Sequence, residues 1–278
     1  MMGPMPLRAD DLGPGTVALL GVPVDANSSH RAGAALAPAA VRGQLHSGSA
    51  NLTTESGVDV EPLLVDAGDV PVANAVGSRD DARSIADAVR SILATGATPL
   101  CLGGDHSVTY PILQAIGPAR SGLTIVHVDA HPDLYDELDG NRLSHASPFA
   151  RIMEDGLCDR LVQVGIRTAN AHQRDQARRF GVETIEARAL DSFDPASIAG
   201  PTYVSIDLDG LDPAFAPGVS HHEPGGLTTR QLLELLAVLP GPVVGADVVE
   251  LNPTRDVQDM TAMVAAKLVK ELTARLAT

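Results

Sequence analysis

The residues of this 278-residue chain best suited to chemistry lie in short acidic and histidine-bearing clusters, each directly after a brief apolar run. They are Gly103–Ser107 (GGDHS), Asp129–Asp133 (DAHPD), Asp207–Pro213 (DLDGLDP) and Asp247–Pro253 (DVVELNP). An open α/β sheet places its ligand beyond the carboxyl ends of its strands, so clusters at several such ends can converge on one point. In DAHPD the residues Asp129, His131 and Asp133 alternate, and an extended chain would turn all three to one face. Extended, the stretch from Asp129 to Asp133 would span ~13 Å, too far for one small centre. The chain must therefore curl after the strand, and Pro132 ends the ladder and assists the bend. Asp207 and Asp209 project alike from the end of SID. His106 follows Gly103 and Gly104, which permit a tight turn with close backbone approach, and Asp105 is expected to cap or brace that turn.

Four aspartates and two histidines (His106, Asp129, His131, Asp133, Asp207 and Asp209) so placed suit a divalent first-row cation. Buried together without a cation, the carboxylates would cost roughly several kcal/mol per charge. Two divalent ions would balance the four negative charges. Hard carboxylates without thiolate favour Mn²⁺ over Zn²⁺, and Co²⁺ or Ni²⁺ would fit the same set. A centre of this kind activates water at neutral pH, so the expected chemistry is hydrolysis. His145, in a polar loop beyond these residues, has an ordinary pKa near ~6.5 and could relay a proton to a leaving group, or be an exposed loop histidine. Glu250 ends the run VVGADVV, where a free carboxylate would favour a planar cationic head such as guanidinium; an internal salt bridge is the alternative. Asp247 is expected to be structural, as a partner to a histidine behind the metals.

The elements that must position these groups are legible from periodicity. Strands are expected at Thr16–Val22, Pro62–Val65, Thr98–Leu102, Leu123–Val128, Leu161–Gly165, Tyr203–Ile206 and Val243–Ala246, with a weaker one at Val182–Ile185. They are hydrophobic on both parities, as strands covered on both faces are. Helical patterns occupy Asp80–Ala94, Thr229–Leu239 after an N-cap at Thr228, and Met260–Leu276. Strand alternating with helix implies an α/β fold with a mostly parallel sheet and helices on both sides. With no linker or repeat, the chain reads as one domain. The long loops Pro132–Ser144 and Asp212–Gly226 follow the Asp clusters and are the natural walls of a pocket.

Composition narrows the function classes. The chain is 44% apolar and 20% charged, with a net charge of −15 and a pI of 4.8. So acidic a surface argues against nucleic acid or an anionic membrane as partner and favours a cationic substrate by steering. No run approaches the ~20 apolar residues needed to cross a bilayer. The start, MMGPMPLRADDLGPG, has no apolar signal core, and the expectation is a soluble cytoplasmic protein. Cys101 and Cys158 are expected to be buried free thiols.

Taken together the motifs resemble the ureohydrolase superfamily, which includes arginase, agmatinase and related amidinohydrolases. The resemblance runs over nearly the whole chain, from LLGVPVDANSSHRAGAALAPAAVR through GGDHS, DAHPDLYD, SHASPF, SIDLDGLDPAFAPG and VVELNP. SIDLDGLDPAFAPGVSHHEPGGL and NSSHRAGAALAPAAVR are similar to the plant-type arginase branch in particular. The resemblance implies a three-layer α/β/α sandwich of about eight strands, assembled as a homotrimer or homohexamer. It implies one Mn²⁺ held by His106, Asp129, Asp133 and Asp207, and a second held by His131, Asp129, Asp207 and Asp209. It makes His145 the proton relay and Glu250 the carboxylate that orients a guanidinium, with L-arginine or agmatine yielding urea and an amine. The same motifs would also serve guanidinobutyrate, guanidine or formiminoglutamate, and a non-catalytic assembly subunit is the reading from another class. The chain departs from animal arginases after DAHPD, where LYDELDGNRLSHASPF replaces the Ser/Thr/Asn-rich loop that grips the substrate tail. Asn141 and Arg142 are candidate substitutes there, and His221 and His222 are candidates for the pocket rim; bracing or exposed structural roles are the alternatives for Arg142 and the two histidines.

Overall fold

The computed structural model describes residues 11–277, so the reading of the first ten residues as lacking a signal core lies outside the described residues. Each apolar run becomes a strand: β1 (Val17–Val22), β2 (Leu64–Asp69), β3 (Thr98–Gly103), β4 (Thr124–Val128), β5 (Arg160–Ile166), β6 (Glu183–Glu186), β7 (Thr202–Asp207) and β8 (Val243–Val249). The order in the sheet is β2-β1-β3-β8-β7-β4-β5-β6, with every pairing parallel. The helices are α1 (Ala37–Leu45), α2 (Arg79–Thr95), α3 (Thr109–Ile116), α4 (Pro148–Glu154), α5 (Ala171–Phe180), α6 (Thr229–Val238) and α7 (Met260–Leu276).

Strand alternation divides the core into two layers, one on each face of the sheet. Leu100, Leu102, Val204 and Ile206 pack with α1, α6 and α7. Their neighbours Cys101 and Tyr203 pack on the opposite face with α2, α3 and α4. Fully buried side chains such as Leu100 and Ile125 each contribute ~1.5–3 kcal/mol relative to exposure. This is the three-layer α/β/α sandwich expected. Cys101 and Cys158 are both free, the first buried and the second partly so.

Helix ends follow local chemistry. Ser78 caps α2 by accepting from the Asp81 N–H, and Gly96 ends it in the left-handed region. Thr228 and Gln231 form a capping box on α6, as Asn170 and Gln173 do on α5.

Two strands differ from expectation. β2 starts two residues later and runs on to Asp69, because an edge strand can carry polar residues that a central one cannot. Its Asp66 and Asp69 hold the Arg42 guanidinium, which also donates to the Gly68 carbonyl. β8 continues past Ala246 to Val249 because the interrupting Asp247 is fully satisfied inside the sheet, as described below. At the other edge, Glu183 of β6 accepts from Arg160 of β5.

The four clusters follow β3, β4, β7 and β8, and these are the four central strands, adjacent in the order β3-β8-β7-β4. At ~4.8 Å between neighbours, their carboxyl ends lie within ~15 Å of one another. The segments 129–147 and 211–228 leave these ends and wall the space beyond them.

Candidate metal centre and its cavity

The turn after β3 is set by contact between backbones. A Cβ on Gly104 would sit 1.8 Å from the Val24 carbonyl oxygen, so only glycine fits. Asp105 braces the turn, its carboxylate accepting from the Ser107 N–H (3.0 Å), the Ser107 hydroxyl (2.5 Å) and the Asn27 N–H (3.0 Å). The buried His106 ring then faces the ends of β4 and β7.

After β4 the chain curls as the sequence requires, and Asp133 takes a left-handed φ of 50°. Asp129 and Asp133 therefore reach the same point. His106 Nδ1 lies 3.2 Å from Asp129 Oδ2, 3.1 Å from Asp133 Oδ2 and 3.1 Å from Asp207 Oδ2. A second group forms beside it, with His131 Nδ1 at 3.1 Å from Asp209 Oδ2 and 3.4 Å from Asp129 Oδ1. Asp129 thus offers one oxygen to each group. Backbone N–H groups brace these carboxylates: the His131 N–H donates to Asp129 Oδ1 (2.6 Å), the Asp209 N–H to Asp207 Oδ1 (2.8 Å) and the Ala130 N–H to Asp209 Oδ1 (3.2 Å).

The proton inventory around His106 tests whether a cation fits. Ser205 Oγ donates to Asp247 Oδ1 at 2.6 Å, so its oxygen can only accept from His106 Nε2, 3.0 Å away. Nδ1 is then the ring nitrogen directed among three carboxylate oxygens, without a hydrogen-bond partner, and in the neutral ring it carries the lone pair. Three carboxyl groups around such a nitrogen are the donor set of a cation. Asp247 is fully buried and also accepts from Tyr203 (2.6 Å) and Thr109 (2.9 Å) hydroxyls, so it stands behind His106 as a structural partner.

The electrostatics agree. With protons as the only cations, burial disfavours charge on His106, yet Asp129, Asp133 and Asp207 raise its pKa well above the usual value. Burial likewise opposes charge on His131, but Asp209 and Asp129 push it up to about 12. Burial and then the neighbouring Asp209 and Asp129 hold the Asp207 carboxyl well above its ordinary range. The cluster seeks positive charge, and the residues fit a divalent metal site.

A cavity of 340 Å³ opens beside the cluster, lined by Asp133, Asp207, Asp209, His131, His145 and Glu250 on its floor. Glu250 sits just past β8 in the left-handed region (φ 65°) and is 3% exposed. Its Oε1 accepts from the His106 N–H at 3.0 Å and lies 3.2 Å from His145 Nδ1, while Oε2 has no partner. Burial alone would lower the His145 pKa, but the Glu250 carboxylate raises it to about 9. Ser29 Oγ contacts His145 Nε2 at 2.9 Å and His221 Nε2 at 3.4 Å. Asn252 brings these loops together by donating to the Arg31 carbonyl and to Ser220.

Of the rim residues expected from sequence, only His221 lines this cavity; its ring stacks on His145 at 5.0 Å. Arg142 turns away to pair with Glu154 at 2.9 Å. Asn141 donates to the Asn27 side chain and braces Leu143. His222 bonds the Pro217 carbonyl within its own loop. Tyr135, Leu138, Thr168, Asn170 and Gln173 line the outer cavity instead, together with Ser29. Sequence reasoning missed them because they come from separate loops and the start of α5, where nothing in the residue types marks them as pocket lining. His127 and Ser205, polar residues within the apolar runs IVHV and VSI, carried a signal that could have been read.

A profile of the arginase family matches residues 15–274. The chain is 49% identical to "Arginase 1, mitochondrial" of Arabidopsis thaliana, over 94% of this chain and 81% of that protein. It is 38% identical to "Guanidino acid hydrolase, mitochondrial" of Homo sapiens, over 92% of this chain and 76% of that one. Among solved structures, the arginase from Medicago truncatula superposes with a TM-score of 0.89 at 46% identity, covering 94% of this chain and 87% of that one. The mitochondrial names of these relatives overturn the expectation of a cytoplasmic protein, which rested on the lack of an apolar signal core. Among the described residues no helix is long and apolar enough to cross a membrane.

Proposed function

The chain belongs to the arginase family, and from that premise we propose that it hydrolyses the guanidinium group of a small cationic substrate to urea and an amine, with two Mn²⁺ as cofactors. The observation that carries the reading is His106 Nδ1 set among three aspartate oxygens without a hydrogen-bond partner, with His131 completing a second donor group around the shared Asp129. In this reading His106, Asp129, Asp133 and Asp207 hold one ion, and His131, Asp129, Asp207 and Asp209 the other. Co²⁺ or Ni²⁺ would suit the same donors. When bound, the ions would supply Lewis acidity and a water-derived nucleophile at neutral pH.

The chain's own groups do the rest. Glu250, a buried carboxylate with one oxygen unpartnered, binds and orients the planar guanidinium through charge-assisted hydrogen bonds. His145, beside it, holds a proton at neutral pH and can deliver it to the departing amine nitrogen. The neutral outer wall of Tyr135, Thr168, Asn170 and Gln173 meets the substrate tail.

L-Arginine is the first substrate, supported by the identity to proteins named arginase. Agmatine is the second reading. Its support is that no Lys or Arg is among the described residues lining the cavity, so no guanidinium or ammonium stands there to pair with a substrate carboxylate. The whole chain is read as one catalytic domain, and the family resemblance supports a homotrimer or homohexamer. The deciding experiment compares urea release by the Mn²⁺-loaded protein from arginine, agmatine, guanidinobutyrate and guanidine. A preference among them names the tail; no urea from any of them rejects the reading.

A further inference from the structure

Behind the aspartates lies a buried polar pair outside every motif. His127 on β4 and Gln163 on β5 are register partners, and both are fully buried. Gln163 Nε2 lies 2.6 Å from the Pro132 carbonyl oxygen. A carbonyl can only accept, so the amide nitrogen and not its oxygen must occupy that position. The same nitrogen is 3.1 Å from His127 Nδ1, to which it gives its second proton. Nδ1 is therefore the unprotonated ring nitrogen. The ring's N–H is at Nε2, 2.7 Å from Asp129 Oδ2, and it donates there. Phe149 stacks on the imidazole at 3.8 Å with 25° between planes, fixing the plane in which that N–H points.

We propose that Gln163 and His127 are positioning residues for the metal centre: the amide selects the His127 tautomer, and the His127 N–H then fixes the rotamer of Asp129. The inference rests on the reading of Asp129 as a ligand shared by both ions. Asp129 can serve two donor groups only if its carboxylate plane is set so that each oxygen faces one of them. Oδ1 is held by the His131 N–H, and His127 is the group that holds Oδ2. Gln163 also fixes the other half of the motif, because its bond to the Pro132 carbonyl pins the curl that presents Asp133. One amide on a neighbouring strand thus fixes both ends of DAHPD. It does so although its own Oε1 is left without a partner.

The test is Mn²⁺ affinity of the full chain by equilibrium dialysis with metal analysis, alongside thermal melting of the metal-free protein. His127→Phe keeps a flat ring against Phe149 and removes the donor. His127→Gln removes the ring and keeps an N–H near the Nε2 position. The Phe variant should lose ~10–100-fold in Mn²⁺ affinity, as loss of an outer hydrogen-bond partner of a ligand does, while the Gln variant retains most of it. Gln163→Leu should lose affinity comparably, and the His127→Phe/Gln163→Leu double variant no more than the worse single one, because the two act in series. Gln163→Leu leaves His127 in place and gives the same readout if His127→Phe does not fold. A purely packing role would reverse the order, with Phe binding better than Gln. That order, or parental affinity in both His127→Phe and Gln163→Leu, overturns the proposal. Absence of Mn²⁺ binding by the unsubstituted protein would instead reject the metal reading beneath it.

Discussion

Glu250→Gln removes one negative charge from the cavity floor and leaves the side chain's shape intact. The amide oxygen can still accept from the His106 N–H, which lies 3.0 Å from Oε1 in the native chain, so the turn after β3 keeps its anchor. What is lost is the carboxylate's attraction for a guanidinium. A hydrogen bond to a charged group is worth ~1.5–3 kcal/mol, and at ~1.4 kcal/mol per decade the loss corresponds to ~10- to 150-fold in kcat/KM. The substitution also acts on His145. Burial works against the charge on that imidazole, and Glu250 outweighs it to hold the pKa at about 9. Without the carboxylate the pKa falls, so the proton donor is lost at lower pH and the alkaline limb of the rate profile moves in the acid direction. The assay is urea release over a pH series with arginine and agmatine, with bound Mn²⁺ measured in parallel. A Gln variant with native kcat/KM, an unmoved alkaline limb and full metal content would refute the assignment of Glu250.

Three further outcomes are expected. His145→Ala should keep its metal and lose ~10²–10⁴-fold in kcat, the usual worth of a positioned acid; a comparable loss of bound Mn²⁺ would recast it as a ligand. Asp129→Ala or Asp207→Ala should abolish metal binding and activity together, and metal-independent urea release by either would sink the mechanism. Mn²⁺ uptake at neutral pH should release protons, because metal-free His131, raised to about 12 by Asp209 and Asp129 against the effect of burial, must lose its proton to bind. Affinity should accordingly fall as pH is lowered. Calorimetry in two buffers of different ionisation enthalpy reads the release directly, and identical heats would contradict it.

How far the sequence reveals the fold depends on where hydrophobic burial writes its period. The central strands are buried on both faces and read as continuous apolar runs, so β1, β3, β4, β5 and β7 were legible almost to the residue. Helix α7 was as clear, with its apolar stripe over 17 residues. By contrast α5, AHQRDQARRF, buries two glutamines and is started by its Asn170–Gln173 capping box, so apolar periodicity could not show it. Helices α1, α3 and α4 are short and carry proline near their starts, which reads as a break unless the first-turn position is recognised. The candidate site divides the same way. His106, Asp129, His131, Asp133, Asp207, Asp209 and Glu250 announce themselves because strand ends bring their motifs together. Arg142 reads from sequence as either a tail contact or an exposed structural residue, and Glu154, twelve residues on, decides for the second by claiming its guanidinium. Gln163 and Tyr135 act through partners that only the fold brings near.

The polar character of the two outermost strands has a consequence for the chain's behaviour in company. A parallel sheet that ends in open strands offers backbone groups on which another chain could grow. On β2 the Arg42 side chain already occupies the Gly68 carbonyl, and Asp66 and Asp69 line the same border. On β6, Glu183 and Glu186 stand at the two ends of a four-residue strand. A second copy approaching either border would bring together two chains that each carry a net charge of −15, an encounter opposed by long-range repulsion. Uncontrolled strand-to-strand aggregation is thereby disfavoured at both borders.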